Sequence, residues 1–433
     1  RIAWSAFPIR RLVMPNDRTT ADAQALFERG HQSFQSGDFR EAVECFSRAI
    51  RLRPAVAAGY RYRALAHLEM GNRIDALNDL DHAIRLKNDD PQLYADRARV
   101  LFRQKQYPAA IADCDKALAI DPGLAPLYGL RAECHAANGD SGKALADFAK
   151  AIAEDPDHAA DYRLARAELH LELEENDAAL IDSDAAVIAR PDFAQAYQTR
   201  GLVYRTMGDD AAAEADFSKA IELDPERVTA RLARAAVWLG RRRYAEAEGD
   251  CDAVIQATPT AVKAYELRGM CRKYRNNYSG AFDDYNEAIR LNPNSPLAYN
   301  LRAGLHYFQR KYNRAVQDHL AALQRDPQSA GTFNQLGWIW ATAPDPDVRN
   351  GERAKECATR ACELSEWQDP SYLDTLAAAC AELGDYDDAI KWMEKAITLV
   401  PPEAEDDYRS RLDLYQLGKP VRVTPEPDIP TVQ

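Results

Sequence analysis

Small and apolar side chains return along this chain every 34 residues, and polar residues fill the intervals between them. When units are counted from residues 23, 57, 91, 125, 160, 194, 228, 262, 296, 330 and 370, position 8 of each unit is Gly or Ala. Position 20 is Ala in all units but the tenth, and position 27 is small in the same units. Small side chains at matched heights let two antiparallel helices approach closely. The pattern therefore predicts eleven helix-turn-helix units.

The units also share aromatic residues and a closing Pro, as in AYQTRGLVYRTMGDDAAAEADFSKAIELDP at residues 196–225. With this combination the chain resembles the tetratricopeptide repeat (TPR) family over residues 23–401. The resemblance implies an all-α fold, namely a right-handed superhelical solenoid of about eleven TPR units. It also implies a concave groove, lined by the first helix of each unit, that binds peptides or partner proteins.

The repeat divides the chain into segments with different expected structures. The expected boundaries are a disordered N-terminal extension (1–22), nine regular units (23–329), two C-terminal units (330–401), a capping helix (402–418) and a disordered Pro-rich tail (419–433). The capping helix is expected because Tyr408, Leu412 and Tyr415 follow at helical spacing and a terminal repeat must cover its apolar face.

Unit ten departs from the period, because five residues are inserted into its turn. An Ala-Pro-Asp-Pro-Asp run begins at Ala343, and Pro344 and Pro346 lack the amide that a continuing helix needs. Asn350 is suited to cap the helix that follows. We therefore expect an extended turn at residues 343–350 without catalytic residues.

Charged residues follow the same period inside the units. Position 7 is Arg in the first nine units, and position 23 is Asp in units two to nine. These positions face each other in an antiparallel hairpin that turns near position 15. We predict an Arg–Asp ladder of Arg63 with Asp79, Arg97 with Asp113, Arg131 with Asp147, Arg166 with Asp182, Arg200 with Asp216, Arg234 with Asp250, Arg268 with Asp284, and Arg302 with Asp318. The alternative is a stripe of arginines that binds a ligand.

Amides and aromatic rings concentrate at the groove-facing positions of units eight to ten. The predicted peptide-binding residues are Asn300, Tyr307, Phe308, Asn334, Gln335 and Trp338. Amides pair with donors and acceptors of a peptide backbone, and aromatic rings give rigid contact area. The alternative is that the rings pack between helices and the amides are only solvated. The carboxylate clamp known in this family needs Lys, Asn and Arg in three consecutive units, and this chain does not supply that pattern.

Basic residues cluster at the turn edge of units seven to nine. They are Arg241, Arg242, Arg243, Arg272, Lys273, Arg275, Arg310 and Lys311. Stacked one repeat apart, they would form a basic edge that recruits an acidic segment or a polyanion. The alternative is that they are solvated turn residues.

The composition argues against a general polyanion binder. The chain has 433 residues, a formal net charge of −13 and a pI of about 5.2, whereas phosphate contacts need clustered Lys and Arg. Eight Cys form no CxxC pair or zinc-spaced cluster, which predicts free thiols, a reducing compartment and no metal site. The N-terminal apolar patch is too short for a secretory signal or a membrane span, so the default expectation is a cytoplasmic protein.

No phosphate loop, nucleophile elbow, zinc protease motif or dinucleotide fingerprint occurs, and the eight His stand singly. The sequence therefore predicts a non-catalytic scaffold, without a cofactor, that binds a protein or peptide rather than a membrane or nucleic acid. Two alternatives stay open: a regulatory or sensory TPR module detached from a larger signalling chain, and a weak polyanion binder using the basic edge. The sequence does not define the oligomeric state.

Overall fold

The structure, a computed structural model, describes residues 18–423 as a succession of helices. They are α1 (Arg18–Gln35), α2 (Phe39–Leu52), α3 (Ala57–Glu69), α4 (Arg73–Leu86), α5 (Pro91–Arg103), α6 (Tyr107–Ile120), α7 (Ala125–Ala137), α8 (Ser141–Glu154), α9 (Ala159–Glu172), α10 (Asn176–Ala189), α11 (Ala194–Thr206), α12 (Asp210–Leu223), α13 (Val228–Gly240), α14 (Tyr244–Ala257), α15 (Val262–Tyr274), α16 (Tyr278–Leu291), α17 (Pro296–Phe308), α18 (Tyr312–Arg325), α19 (Ala330–Thr342), α20 (Gly351–Leu364), α21 (Pro370–Glu382), α22 (Tyr386–Ile397) and α23 (Glu405–Gln416). No strand occurs in this range, and the predicted all-α class is confirmed. The expectations for residues 1–17 and 424–433 lie outside the described residues.

The helices follow the period of the sequence, because each unit supplies a first helix and a second helix. Odd-numbered helices from α1 to α21 open the eleven units, and α23 follows the last unit. After Asp209 the chain divides into two compact parts, one ending with α11 and one beginning with α12. Within each part every helix contacts the helix before it and the helix after it. None of the described helices is both long and apolar enough to cross a membrane.

Both expected disordered segments overlap the described structure. α1 begins at Arg18, and the buried Thr20 accepts a hydrogen bond from Arg53 Nη1 at 2.7 Å. The helix therefore starts inside the expected N-terminal extension. At the other end, residues 419–423 return to the C-terminus of α19, where the amide of Val423 donates to a backbone carbonyl.

Small side chains set the distance between the two helices of a unit. In unit eight, Ala281 and Ala288 on α16 are fully buried, and Gly269 on α15 faces the ring of Tyr285. A Cβ atom on Gly269 would lie 2.4 Å from Tyr285 Cε1. The ring thus fills the space that the absent side chain leaves, and the predicted small positions form the contact between the helices.

Position 15 lies in the left-handed backbone region in the regular units. Glycine fills it at Gly37, Gly71, Gly139 and Gly208, with φ between 81° and 85°; the other residues are Lys105, Glu174, Arg242, Asn276 and Arg310, with φ between 59° and 63°. Left-handed backbone costs a residue with a Cβ roughly 1–2 kcal/mol. Arg242 and Arg310 of the predicted basic edge therefore occupy strained turn positions.

The turn of unit ten is longer than the regular turns and packs against units nine and ten. α19 ends at Thr342 and α20 begins at Gly351, and Asn350 Oδ1 accepts the amide of Arg353 at 3.0 Å. Val348 in this turn is buried in a cluster with Ile339 of α19. At the end of the chain, Leu412 and Tyr415 of α23 are buried against unit eleven, as a capping helix requires.

Replacing Gly269 by Ala should destabilise the protein by about 1–3 kcal/mol, because the added methyl group collides with the buried Tyr285 ring. Gly304 on α17 is the matched control, since a Cβ there meets no atom within 4 Å. The Gly304→Ala change should be neutral or stabilising by up to about 1 kcal/mol, because Ala favours the helix. Urea unfolding followed by circular dichroism measures both changes. Equal stability of the two variants would contradict the proposed close contact.

Candidate functional site

The arginines at position 7 lie against the aspartates at position 23 of the same unit. Arg97 Nε and Nη2 donate to Asp113 Oδ2 and Oδ1, each at 2.7 Å. The same two-pronged arrangement joins Arg63 to Asp79, Arg131 to Asp147, Arg166 to Asp182, Arg234 to Asp250, Arg268 to Asp284 and Arg302 to Asp318. These aspartates are buried, and hydrogen bonding to Asp113 raises the pKa of the Arg97 guanidinium. Arg200 lies on α11, and Asp216 is buried on α12.

The third nitrogen of the guanidinium group reaches the preceding unit, a contact that the sequence pattern did not predict. Arg97 Nη1 donates to Asp81 Oδ1 at 2.7 Å, one unit earlier. Equivalent contacts join Arg63 to Ser47, Arg131 to Asp115, Arg200 to Asp184, Arg234 to Ser218, Arg268 to Asp252 and Arg302 to Asn286. The sequence does have a polar residue at position 25 of the preceding unit, 16 residues before each of these arginines, and this spacing could have predicted the contact. Each of these arginines therefore links two units.

Aromatic rings at position 4 cover the same guanidinium groups. The Arg97 Cζ atom lies 5.8 Å from the ring centroid of Tyr94. Corresponding distances of 5.4–5.7 Å involve Tyr60, Tyr128, Tyr197, Tyr265 and Tyr299. Between carboxylates and rings these arginines are engaged inside the repeat, which favours the ladder over a ligand-binding stripe.

The ladder changes at both ends of the array. In unit one, position 23 is Cys45, and Arg29 Nε donates instead to Glu41 Oε1 at 2.9 Å. In units ten and eleven, position 7 is Leu336 and Leu376, and both side chains are buried. Apolar packing therefore replaces the ion pair in the C-terminal units.

A pocket of about 530 Å³ opens in the second compact part, between the first helices of units eight, nine and ten and the second helix of unit nine, α18. Its lining residues are Lys273, Asn300, Gly304, Tyr307, Phe308, His319, Ser329, Gly331, Thr332 and Gln335. Four of the six predicted peptide-binding residues belong to this lining: Asn300, Tyr307, Phe308 and Gln335. The pocket combines two aromatic rings with amides and hydroxyls, and none of its lining residues is acidic.

A hydrogen-bond relay fixes the polar wall of this pocket. Asn300 Nδ2 donates to Thr332 Oγ1 at 2.8 Å, and Thr332 Oγ1 lies 2.8 Å from Ser329 Oγ. His319 Nδ1 lies 2.9 Å from Asn300 Oδ1, which makes Nδ1 the protonated nitrogen. Burial lowers the pKa of His319 to about 4. A neutral His319 therefore orients the Asn300 amide, whose Nδ2 has Thr332 as its one hydrogen-bond partner among the described residues.

Lys273 was predicted on the basic edge, but the structure places it in the pocket wall. Its side chain is half-buried, and burial lowers the pKa of the ammonium group. Among the described residues, no carboxylate lies within ion-pairing distance, and the nearest aromatic contact is the Tyr274 ring at 5.7 Å. The pocket thus contains a cation whose charge is not neutralised by a neighbouring side chain.

Asn334 and Trp338, the other two predicted peptide-binding residues, are outside the pocket lining. Trp338 Nε1 donates to Tyr307 Oη at 3.2 Å, and its ring packs against the helix core near Leu336. Asn334 Oδ1 is buried and has no hydrogen-bond partner among the described residues. Trp338 therefore packs between helices, which was the alternative interpretation of the aromatic residues.

Half of the basic edge is paired with glutamates on the second helix of the preceding unit, Glu214 on α12 and Glu248 on α14. Arg241 and Arg243 share Glu214, with both Nη1–carboxylate distances at 2.7 Å. Glu248 accepts hydrogen bonds from Arg272, at 2.9 Å, and from Arg275. Further contacts join Arg272 to Asp284 and Lys311 to Gln309. Four of the eight basic-edge residues, Arg241, Arg243, Arg272 and Arg275, are therefore paired with carboxylates, which reduces the positive charge that the edge offers to a polyanion.

The structure also brings Cys380, Asp385 and Asp388 together, with their ligand atoms within 4.8 Å of one another. The ammonium of Lys355 lies 3.6 Å from Asp385 and 3.7 Å from Asp388, so these carboxylates already have a cation. Burial raises the pKa of the Cys380 thiol to about 11. All eight Cys are free thiols, and seven of them are buried.

A succession of α-helical hairpins with an open pocket on their first helices defines a helical repeat protein. Three family models described as tetratricopeptide repeat match the chain, at residues 63–125, 199–262 and 269–330, at residues 101–169, and at residues 23–56 and 370–402. Together they cover more than half of the chain, which belongs to the tetratricopeptide repeat family.

Curated relatives match a limited part of the chain. Protein SGT1 homolog of Oryza sativa subsp. japonica is 37% identical over 75 residues, which are 17% of this chain and 20% of that protein. Tetratricopeptide repeat protein 36 homolog of Nematostella vectensis is 36% identical over 80 residues, 18% of this chain and 44% of that protein. The chain thus spans less than half the length of either relative.

Two solved structures are similar over nearly the whole chain. The crystal structure of the yeast Tom70 has a TM-score of 0.47 and 16% identity, covering 91% of this chain and 96% of that one. The crystal structure of the APC/C hetero-tetramer Cut9-Hcn1 has a TM-score of 0.50 and 14% identity, covering 92% and 96%. At 14% identity, the similarity to Cut9-Hcn1 shows a shared fold and nothing further. Family and fold make the chain a protein-interaction scaffold in general.

Replacing Arg97 by Leu should lower the free energy of unfolding by about 3–5 kcal/mol, because Asp113 becomes an unpaired buried charge. The double variant Arg97→Leu/Asp113→Cys copies the residues of unit ten, Leu336 and Cys357, and should recover at least half of this loss. Urea unfolding of both variants measures the difference. A double variant as unstable as the single one would show that the buried charge is not the cause.

Acidification should destabilise the protein partly through His319. An unfolded His titrates near its ordinary pKa of 6.5, whereas the folded His319 has a pKa of about 4. The unfolded state therefore binds a proton first, and stability falls as the pH drops from 6.5 towards 4. Thermal unfolding of wild type and His319→Gln between pH 7.5 and 4.5 should show a smaller loss in the variant. Parallel pH curves would contradict the assignment.

Proposed function

We propose that this scaffold holds an extended segment of a partner protein in the pocket between units eight, nine and ten. The observation behind the proposal is the composition of the pocket lining. It contains aromatic rings, amides and one unpaired cation, and it contains no carboxylate. Ligand sites are commonly concave, with apolar walls and a few placed polar groups.

The lining divides into groups with different roles toward a peptide. Tyr307 and Phe308 offer flat apolar area on α17, where an apolar side chain would pack. Gln335 is exposed on α19 and offers both a donor and an acceptor to a peptide backbone. The second N–H of Asn300 donates from the opposite wall, since the relay holds its amide in place. Together these groups suit one extended strand of peptide.

Lys273 gives the pocket a preference for a carboxylate on that peptide. The ammonium group is half-buried and unpaired, so an incoming carboxylate replaces lost hydration with a charged hydrogen bond. The chain as a whole carries a net charge of −13 and repels acidic ligands elsewhere. An acidic side chain or a terminal carboxylate would therefore be drawn to this pocket rather than to the general surface.

The test begins with peptides selected on the wild-type chain from a displayed library of random sequences. Selected peptides should carry an acidic group beside an apolar residue. Binding of one such labelled peptide, followed by fluorescence anisotropy, should weaken about tenfold or more in Lys273→Met, because a hydrogen bond to a charged group contributes roughly 1.5–3 kcal/mol. Asn300→Ala and Gln335→Ala should weaken binding less.

Lys263→Met is the matched control, because Lys263 is exposed on the same helix outside the pocket lining. This variant should bind the peptide as the wild type does. Equal affinities of Lys273→Met and Lys263→Met would exclude the pocket as the peptide site. Selection of peptides without acidic residues would exclude the role of Lys273.

A further inference from the structure

The extended turn of unit ten leaves the end of α19 without one of the donors that close a regular unit. In unit nine, the amide of Arg310 donates to the carbonyl of Tyr307 at 2.9 Å, on the last turn of the helix. The equivalent acceptor in unit ten is the Ala341 carbonyl, and the equivalent donor would be the amide of Pro344. Proline has no N–H, so this helix end needs a donor from elsewhere.

Arg422 and Val423 supply donors to this helix end from 81 positions further along the chain. Arg422 Nη1 donates to the Ala341 carbonyl at 3.3 Å, and the amide of Val423 donates to the Thr342 carbonyl at 3.0 Å. The last carbonyls of a helix have no partner within the helix and carry its negative dipole end. A guanidinium group is therefore the favoured occupant of this position.

Glu382, the last residue of α21, forms the other wall and holds two arginines. Its Oε2 accepts a hydrogen bond from Arg422 Nη2, and its Oε1 accepts one from Arg349 Nε at 3.0 Å. Arg349 is anchored independently, because its Nη1 also donates to the carbonyls of Ala343 and Pro344, each at 2.9 Å. The wall is thus built by residues of units ten and eleven and does not depend on the tail.

The tail reaches this wall through a short connection. α23 ends at Gln416, and Gly418, with a φ of +64°, then reverses the chain. The amide of Lys419 closes the helix end by donating to the carbonyl of Leu414 at 2.9 Å. Val421 then packs against the apolar cluster of unit eleven and α23. The segment at the site is therefore an arginine between two β-branched residues, in an open chain rather than a helix.

We propose that the α19 end, the extended turn and Glu382 form a second docking site, specific for an extended partner segment in which an arginine lies between apolar residues. We call this the arginine site. The chain's own residues 421–423 occupy it in cis, and a partner segment binds by displacing them. Because the tether from Gly418 is short, its effective concentration is high, and the resident segment suppresses binding of weak competitors.

A labelled synthetic peptide with the sequence of residues 419–426 is the probe, and fluorescence anisotropy reads its binding to full-length chains. The wild type should bind it weakly, because the site is occupied. Arg422→Glu places a carboxylate beside Glu382 and releases the resident segment, so this variant should bind the peptide at least about tenfold more tightly. Val423→Pro, which removes the amide that bonds to Thr342, should act in the same direction without a change of charge.

Control variants distinguish a site whose occupant can exchange from a tail segment that is permanently bound. Arg409→Glu changes the same charge on an exposed face of α23 and should bind the peptide as weakly as the wild type. Adding Glu382→Gln to Arg422→Glu should abolish the gain, and a probe with Ala in place of its Arg should not bind. Circular dichroism of each variant confirms that it is folded.

The proposal is overturned if folded Arg422→Glu and Val423→Pro chains bind the probe no better than the wild type. That result would make residues 419–423 a permanent part of the fold. The proposal is also overturned if light scattering shows that the wild type is a dimer and that the probe dissociates it. The occupant of the site would then be the tail of a second copy.

Discussion

A guanidinium group shared between two helical hairpins is the interaction on which the regular part of this repeat array depends. Arg97 uses two nitrogens for Asp113 in its own hairpin and the third for Asp81 in the hairpin before it. The planar fork of Arg fixes the directions of all three bonds. One side chain thereby sets both the geometry inside a hairpin and the placement of its neighbour. Lys could not replace it, because a point charge lacks this directionality.

The sequence predicted the contacts that depend on one hairpin alone. The pairing of positions 7 and 23 follows from the turn, since antiparallel helices bring residues at equal distances from it together. The contact with position 25 of the preceding unit depends on the rotation between hairpins, which side-chain packing decides. Lys273 was misplaced for a related reason. Each helical residue advances by about 100°, so Arg272 faces Glu248 while its neighbour Lys273 faces the pocket.

The extended turn shows the same limit of sequence-based prediction, here for residues far apart in the chain. Its prolines predicted that α19 stops and Asn350 predicted where α20 begins, because both are local properties of the backbone. The composition of the tail suggested disorder, yet Arg422 and Val423 bond to α19. Local composition cannot predict this contact, because the missing amide of Pro344 and the donor on Arg422 lie 78 residues apart. A helix-end carbonyl needs a donor, so the missing amide of Pro344 implies a contact from another part of the chain.

Where the ladder stops, arginines from outside the repeat pattern take over the links between units. Leu336 and Leu376 pack at position 7 and cannot reach a neighbouring unit through an ion pair. Arg349 of the extended turn joins unit ten to Glu382 of unit eleven, and Arg411 of the capping helix joins α23 to the buried Asp374 at 2.9 Å. A terminal repeat lacks a following neighbour to cover it. The long turn and the capping helix are therefore the means by which the last units obtain the cross-links that position 7 supplies elsewhere.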